Sequence, residues 1–312
     1  MTSAPTGSTV AEARPASATA RRRKRFSLVR WTGWIYLLPA LGFYVVFVLV
    51  PFGKSVQYSF YDWNGVTTAA FVGFDNYIDV FTNPARLGTL ANAFKLIFFY
   101  TVLSIALGLL AAVLTHKLSS RLAGAARTIL FLPQVIPLVG AGIAWTWIYS
   151  RDGMLNQLLA TVGLGSITRA WLADFDWALV AVGFVGTWVL TGLCAMLLSA
   201  GIGKIDPSLY DAARVDGAGP VREFFSVTLP GLRPELAVCI TITMIAALAS
   251  FDVIYVMTGG GPGRSTMVPG VEIFQLAFTQ SRVGAASAMG VVLMGLVLTL
   301  VLLLQRLTRE RS

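Results

Sequence analysis

The sequence predicts an all-α integral membrane protein with six transmembrane helices. Three observations carry that prediction. The 312 residues are 56% hydrophobic and only 12% charged, where a soluble domain carries about 25% charged residues. The charges are clustered, which leaves six long apolar stretches. None of these has the alternating pattern of a membrane β-barrel, and lipid leaves only helix or closed barrel for backbone groups that must be paired.

The spans fall at about 31–53, 93–115, 128–150, 177–201, 235–258 and 283–305. Each reaches the roughly 20 residues that cross the hydrocarbon core. Before them, residues 1–30 are rich in Ala, Ser, Thr and Arg, and predict a disordered basic cytoplasmic N-terminus. Arg21–Arg25 would anchor it at the membrane surface. Basic residues before an apolar run also resemble a secretory signal. Here the run is too long and lacks a small-residue cleavage site, so the first span is expected to stay uncleaved. Residues 307–312 are expected to form a cytoplasmic tail, closing a membrane domain of 31–306.

Lys and Arg set the orientation. With both termini cytoplasmic, seventeen of the 24 basic residues lie on the cytoplasmic side, among them Arg14, Lys117, Lys204 and Arg306. Six lie outside: Lys54, Arg86, Arg151, Arg169, Arg264 and Arg282; Lys95 is at a helix end. The positive-inside rule favours this topology. The net charge of +9 is therefore topological, and no nucleic-acid partner is expected, because no folded aromatic platform accompanies it. Cys194 and Cys239 both lie within spans. They read as small apolar packing residues, with no metal site and no disulfide.

The loops differ in character. The first external loop, from Lys54 to about Ala91, carries Phe60, Tyr61, Trp63, Phe71, Phe74 and Tyr77, which suit a membrane interface. The second, Arg151 to Asp176, contains a short amphipathic segment, Met154 to Val162. Pro133 and Pro137 kink the third span, for shape alone or as part of a gate. Gly259-Gly260-Gly261-Pro262-Gly263 ends the fifth helix in a tight turn. Gly201-Ile202-Gly203-Lys204 resembles the tail of a P-loop, but the earlier glycine and the final Ser or Thr are missing. No ATPase motif is present in the chain, so any ATP is hydrolysed by a partner.

The cytoplasmic loop 204–234 has the most specific pattern. Asp206 is placed as an N-cap and Pro207 as the first helical residue. Gly217 suits the left-handed position that ends a helix. Pro220 opens a second helix and Pro230 is expected to close it. Ala212, Ala213 and Ala218 keep the outer surface slim, while Phe224, Phe225, Val227 and Leu229 are expected to anchor the second helix to the membrane domain. On these grounds alone the loop is either an ordinary amphipathic hairpin or a docking element.

The segment Tyr210-Asp211-Ala212-Ala213-Arg214-Val215-Asp216-Gly217-Ala218-Gly219-Pro220, with Phe224-Phe225 and Leu229-Pro230 after it, resembles the "EAA" loop of ABC importer permeases. The resemblance covers nearly all of the chain after Trp31. Phe71-Val72-Gly73-Phe74-Asp75-Asn76-Tyr77 is similar to the first external loop of sugar permeases. Thr258-Gly259-Gly260-Gly261-Pro262 is similar to the mark of the larger maltose-type permease of the binding-protein-dependent sugar transport family. It implies a type I ABC importer permease fold. It also implies a heterodimer with a second permease subunit, two ATPase subunits, an extracytoplasmic solute-binding protein and a bacterial inner-membrane location. ATP and Mg would be bound by the partner ATPase, and no cofactor by this chain. The resemblance assigns ATPase coupling to Tyr210, Asp211, Ala212, Ala213, Asp216, Gly217, Ala218 and Gly219. Asp211 departs from the pattern, which has Glu, so its contact with an ATPase arginine would be longer or differently placed.

Substrate-binding candidates follow from residue chemistry. Asp252 is the acid within a span, roughly 25 Å along the fifth helix from Glu235 at 1.5 Å per residue. Intramembrane acids face a cavity, a neighbouring helix or water. Tyr255 is placed on the same face, with Ser250 and Phe251 beside it. A carboxylate, hydroxyls and an aromatic ring suit a sugar. Thr187-Trp188 is similar to the sugar-contacting region of the maltose permease, and Trp188 offers a stacking surface. Gln134 and Trp145 are lesser candidates. The rival reading is an ion-coupled secondary transporter of a small polar solute, which requires several intramembrane acids or histidines. A membrane enzyme requires a nucleophile–base pair, paired carboxylates or a metal cluster, and the spans contain none.

Overall fold

The computed structural model describes residues 36–116 and 118–309. The expectations for the N-terminal thirty residues, Lys117 and the last three residues of the tail lie outside the described residues. The chain divides into two units, residues 1–54 and 55–312. In the first, residues 36–54 are helical throughout and their side chains are exposed. They form most of α1 (Tyr36–Tyr58), whose apolar surface suits lipid as solvent.

The second unit continues with a two-stranded antiparallel ribbon, β1 (Tyr61–Asp62) and β2 (Ala70–Phe71). This small addition to the helical fold closes the aromatic loop. Asn76, at the start of α2 (Asp75–Thr82), donates to the carbonyls of Ser59 and Tyr61, both at 3.0 Å. Phe60, Phe74 and Tyr77 then cluster, with ring centroids 5.3–5.9 Å apart.

Helix α3 (Pro84–His116) begins nine residues before the predicted span. The cause is local: Asn83 accepts from the Ala85 N–H at 3.0 Å and Pro84 follows as the first helical residue. At 33 residues it is about 50 Å long, more than a bilayer core needs. Its early turns carry buried Arg86, Thr89 and Asn92, which pack on protein and not on lipid.

The third span is broken. Helix α4 (Ser120–Val135) and α5 (Leu138–Ile148) meet at 96°. Pro137 cannot donate and forces Ile136 into extended backbone, so the helix ends before it. Helix α6 (Met154–Thr161) follows as a short surface helix. Helix α7 (Ala178–Ile202) is the centre of the core, with Val182, Val185, Cys194 and Leu198 fully buried. Close approach is achieved with glycine: a Cβ on Gly186 would overlap the Tyr100 ring of α3. Small residues let membrane helices pack backbone to backbone. Cys194 and Cys239 are buried and free, within one apolar cluster beside Ala112 and Leu198.

The fifth span also breaks. Helix α8 (Pro207–Val215) and α9 (residues 220–231) form the intervening hairpin. Helix α10 (Arg233–Leu248) then stops, residues 249–251 are non-helical, and α11 (Asp252–Met257) resumes. The expected loop after it contains α12 (residues 269–279), with Val271 and Leu276 buried and Val268 buried just before it. Helix α13 (Val283–Arg309) is the last span.

Candidate functional site

Two places combine the predicted residues with unusual local structure. The first is the α8–α9 hairpin. Asp206 accepts from the Ser208 N–H at 2.9 Å, with Pro207 as the first residue of α8. Hydrogen bonds from the Ser208 backbone and side chain hold its exposed carboxyl below the usual carboxylate range. Gly217 has φ 77°, and its N–H donates to the Arg214 carbonyl at 3.0 Å. The Ala218 N–H reaches back to the Ala213 carbonyl at 2.9 Å. This pair of bonds is a Schellman closure. Pro220 then opens α9.

Two details of α9 differ from expectation. Pro230 does not close the helix, which runs on to Gly231. A wide turn at Phe224–Thr228 precedes the proline, so the regular ladder is already opened where its ring needs room. Phe225 is not an anchor: it is 61% exposed, whereas Phe224 is half-buried. Adjacent helical residues point about 100° apart, so both cannot face the membrane helices. Thr228, one turn beyond Phe224, is buried instead and lies 3.2 Å from the Tyr210 hydroxyl. Asp211, Ala212, Asp216 and Gly219 are exposed, and Tyr210, Ala213 and Ala218 half-buried.

The second place is a cavity of about 320 Å³ where the two broken spans meet. Gln134 and Leu138 flank the α4–α5 break, Ser250 and Phe251 occupy the α10–α11 break, and Asp252 opens α11. Tyr100 and Gly186 form another wall. Non-helical backbone at membrane depth is tolerated where it lines a cavity. Ser250 is buried, with its hydroxyl 3.4 Å from the Tyr100 hydroxyl. The Gln134 side-chain carbonyl is buried without a hydrogen-bond partner among the described residues. Asp252 is exposed and begins α11.

Trp188 and Tyr255 do not join this cavity. Thr187 turns toward α3, donating to the Phe99 carbonyl at 2.9 Å. Trp188, one residue on, lines a separate, mostly apolar cavity of about 680 Å³ with Trp145, Tyr149, Trp171 and Phe184. Its ring meets Trp145 edge-on at 5.5 Å. Tyr255 stacks on Phe251 at 5.1 Å and meets Phe274 at 5.0 Å. It therefore backs the Phe251 ring from the α12 side. Gln134, a lesser candidate from the sequence, lines the same cavity as Asp252, because the two breaks converge there.

A buried polar cluster went unread. Glu272 is 5% exposed, accepts from Thr89 Oγ1 at 2.6 Å and pairs with Arg264. Asn92 donates to the carbonyls of Ser265 and Met267 at 3.0 and 3.1 Å. Together they pin the Gly-Gly-Gly-Pro loop to α3. The available signal was an acid in the otherwise apolar run Met267–Phe274.

Residues 104–311 match the family described as binding-protein-dependent transport system inner membrane component. The match covers the hairpin and both broken helices. The chain is a member of that family. The permease is 37% identical to a probable ABC transporter permease protein, YurN, of Bacillus subtilis, over 88% of this chain and 94% of that protein. It is 36% identical to the diacetylchitobiose uptake system permease protein NgcF of Streptomyces coelicolor, over 92% of this chain and 86% of that protein. Its fold resembles that of a chain in the crystal structure of a bacterial ABC transporter involved in the import of the acidic polysaccharide alginate. There the TM-score is 0.77 and the identity 24%, covering 93% of this permease and 99% of that chain. The permease is thus a membrane-embedded, multi-pass, pore-forming subunit of an ABC importer, with the type I importer fold.

Proposed function

We propose that this permease forms half of a carbohydrate pathway, with the α8–α9 hairpin as its coupling element and the cavity at the two breaks as a substrate contact. The observation that carries the reading is the convergence of both interrupted spans on one cavity holding a carboxylate, an amide, a hydroxyl and a backed aromatic ring. Discontinuous membrane helices expose backbone dipoles and polar side chains that a solute needs in place of water. A sugar's hydroxyls are donors for Asp252 and Gln134, and its apolar face suits Phe251. The diacetylchitobiose relative supports the carbohydrate class.

The hairpin supports the second half of the reading. It is short, capped at both ends and closed by a left-handed glycine, as a lever that must not flex requires. In this reading a second permease completes the pore and two ATPase subunits, carrying ATP and Mg, receive the hairpins. An extracytoplasmic binding protein delivers the solute. The membrane is the bacterial inner membrane, and both termini are cytoplasmic. Closure of the ATPases drives the hairpins, the pore opens outward, and hydrolysis resets it.

The test is ATPase activity and sugar uptake in the reconstituted complex with its loaded binding protein. Asp211→Lys or Gly217→Pro is expected to abolish ligand-stimulated hydrolysis; normal stimulation would sink the coupling assignment. Asp252→Leu is expected to lower uptake about tenfold with assembly intact, the scale of one lost charged hydrogen bond. Unchanged uptake would remove Asp252 from the pathway.

A further inference from the structure

We propose that Arg214 is the positioning residue of the coupling hairpin: one guanidinium clamps α8 to α9 through Glu223 and steers the Asp211 carboxylate. This rests on the coupling reading above and adds a residue to it. Arg214 stands in the last turn of α8. Its Nε and Nη2 donate to the two Glu223 oxygens at 3.1 and 3.5 Å, and its Nη1 donates to Asp211 Oδ1 at 3.3 Å.

The two arms differ in exposure. The Glu223 side chain is 21% exposed and the Asp211 side chain 73%. The sheltered arm crosses from one helix to the other, while the exposed arm stays within α8. An incoming cation from a partner can therefore displace Arg214 from Asp211 while the arm to Glu223 holds. A fork that reaches two carboxylates needs the planar geometry of arginine; lysine offers a point charge.

The surroundings make the clamp matter. A hollow of about 400 Å³ lies between the hairpin and the ends of the membrane helices, bounded by Val113 and His116 of α3 and by Ile202 and Gly203. Arg214, Asp211, Glu223 and Tyr210 line it from the hairpin side. The hairpin therefore does not rest flush on the membrane helices along its length. Among the described residues, the side-chain hydrogen bonds between α8 and α9 are Tyr210 to Thr228 and Arg214 to Glu223. Loss of the second leaves one tie, and a push on α8 would be spent closing the hollow instead of moving α9.

The experiment titrates purified ATPase subunit, with ATP present, against the full-length permease assembled with its partner permease. Arg214→Gln and Glu223→Gln are each expected to weaken binding about fivefold, and the double variant no more than either alone, since groups in contact are non-additive. Arg214→Lys is expected to fall between. The melting temperature of the permease pair is expected to stay at the wild-type value in every variant. Unchanged affinity in the single variants, an additive double variant, or a melting temperature that falls in step with affinity would each overturn the clamp. Asp211→Lys separates the two readings. If it loses binding while Arg214→Gln and Glu223→Gln keep it, the clamp alone fails. If it binds like wild type, the coupling reading fails and the clamp with it.

Discussion

The α8–α9 hairpin and the loop that follows α11 are both connections between spans, yet they are built on opposite principles. The hairpin closes on itself. Its caps, its glycine turn and its ion pairs join residues within about 20 positions of one another. The loop at 258–279 has local ties of its own, such as Arg264 to Glu272, but is also fastened from far away: Thr89 reaches Glu272 and Asn92 reaches Ser265 and Met267 across 173–183 residues. The hairpin is mostly exposed, whereas Thr266, Met267, Val268 and Glu272 are buried. A segment that must present a surface to another protein is stabilised locally. A segment that shapes the interior is stabilised by the rest of the fold.

Breaking the long-range loop should have the largest effect. Glu272→Ala leaves Arg264 without its carboxylate, and the expected loss is about 3 kcal/mol, at the low end for a buried pair because Arg264 keeps some solvent. Thermal unfolding of the solubilised permease measures it. Replacing both partners with Met should recover much of the loss, because no unpaired charge then remains; a double variant as unstable as Glu272→Ala would mean that the cluster's hydrogen bonds, not its charges, carry the stability.

A smaller effect is expected from Gly217→Ala. A side chain at φ 77° costs roughly 1–2 kcal/mol. If the hairpin is a self-contained unit, faster hydrogen exchange will be confined to residues 207–231 and the global melting temperature will hold. Exchange spreading into α7 or α10 would show that the hairpin is coupled to the core more tightly than its contacts suggest.

The smallest effect concerns Asp206. Its carboxyl is depressed in the folded state by the Ser208 hydrogen bonds. The contribution is therefore present above the unfolded value of about 3.9 and is lost as pH falls through the lower folded value. Exchange protection in the first turn of α8 should fade on acidification below pH about 4 in wild type. Asp206→Asn, which keeps a capping oxygen, should remove that pH dependence. If the variant fades in the same way, the acid response belongs to another group.

These contrasts also divide what could be read from the chain. Capping by Asp206, the left-handed Gly217 and the opening of α9 by Pro220 were legible because each depends on its immediate neighbours. The orientation of Phe224 and Phe225 was not, since the choice of face belongs to the helices behind them. Tyr255 was placed with Asp252 by helical spacing, and Trp188 entered by resemblance. The fold turned Trp188 to a different cavity and set Tyr255 behind Phe251. Gln134 entered the same cavity as Asp252 only because Pro137 and the 249–251 break stop two separate helices at one depth.

The sequence by itself determined the membrane class, the approximate spans and the hairpin, because apolar run length, proline and glycine act over a few residues. Only the tertiary structure decided which polar groups meet. Glu272 and Arg264 meet Thr89 of α3, and Asp252 and Gln134 line one cavity, through helices that pack side by side. In a low-dielectric interior such groups must be paired or face a cavity, and their partners lie too far along the chain for local pattern to name them.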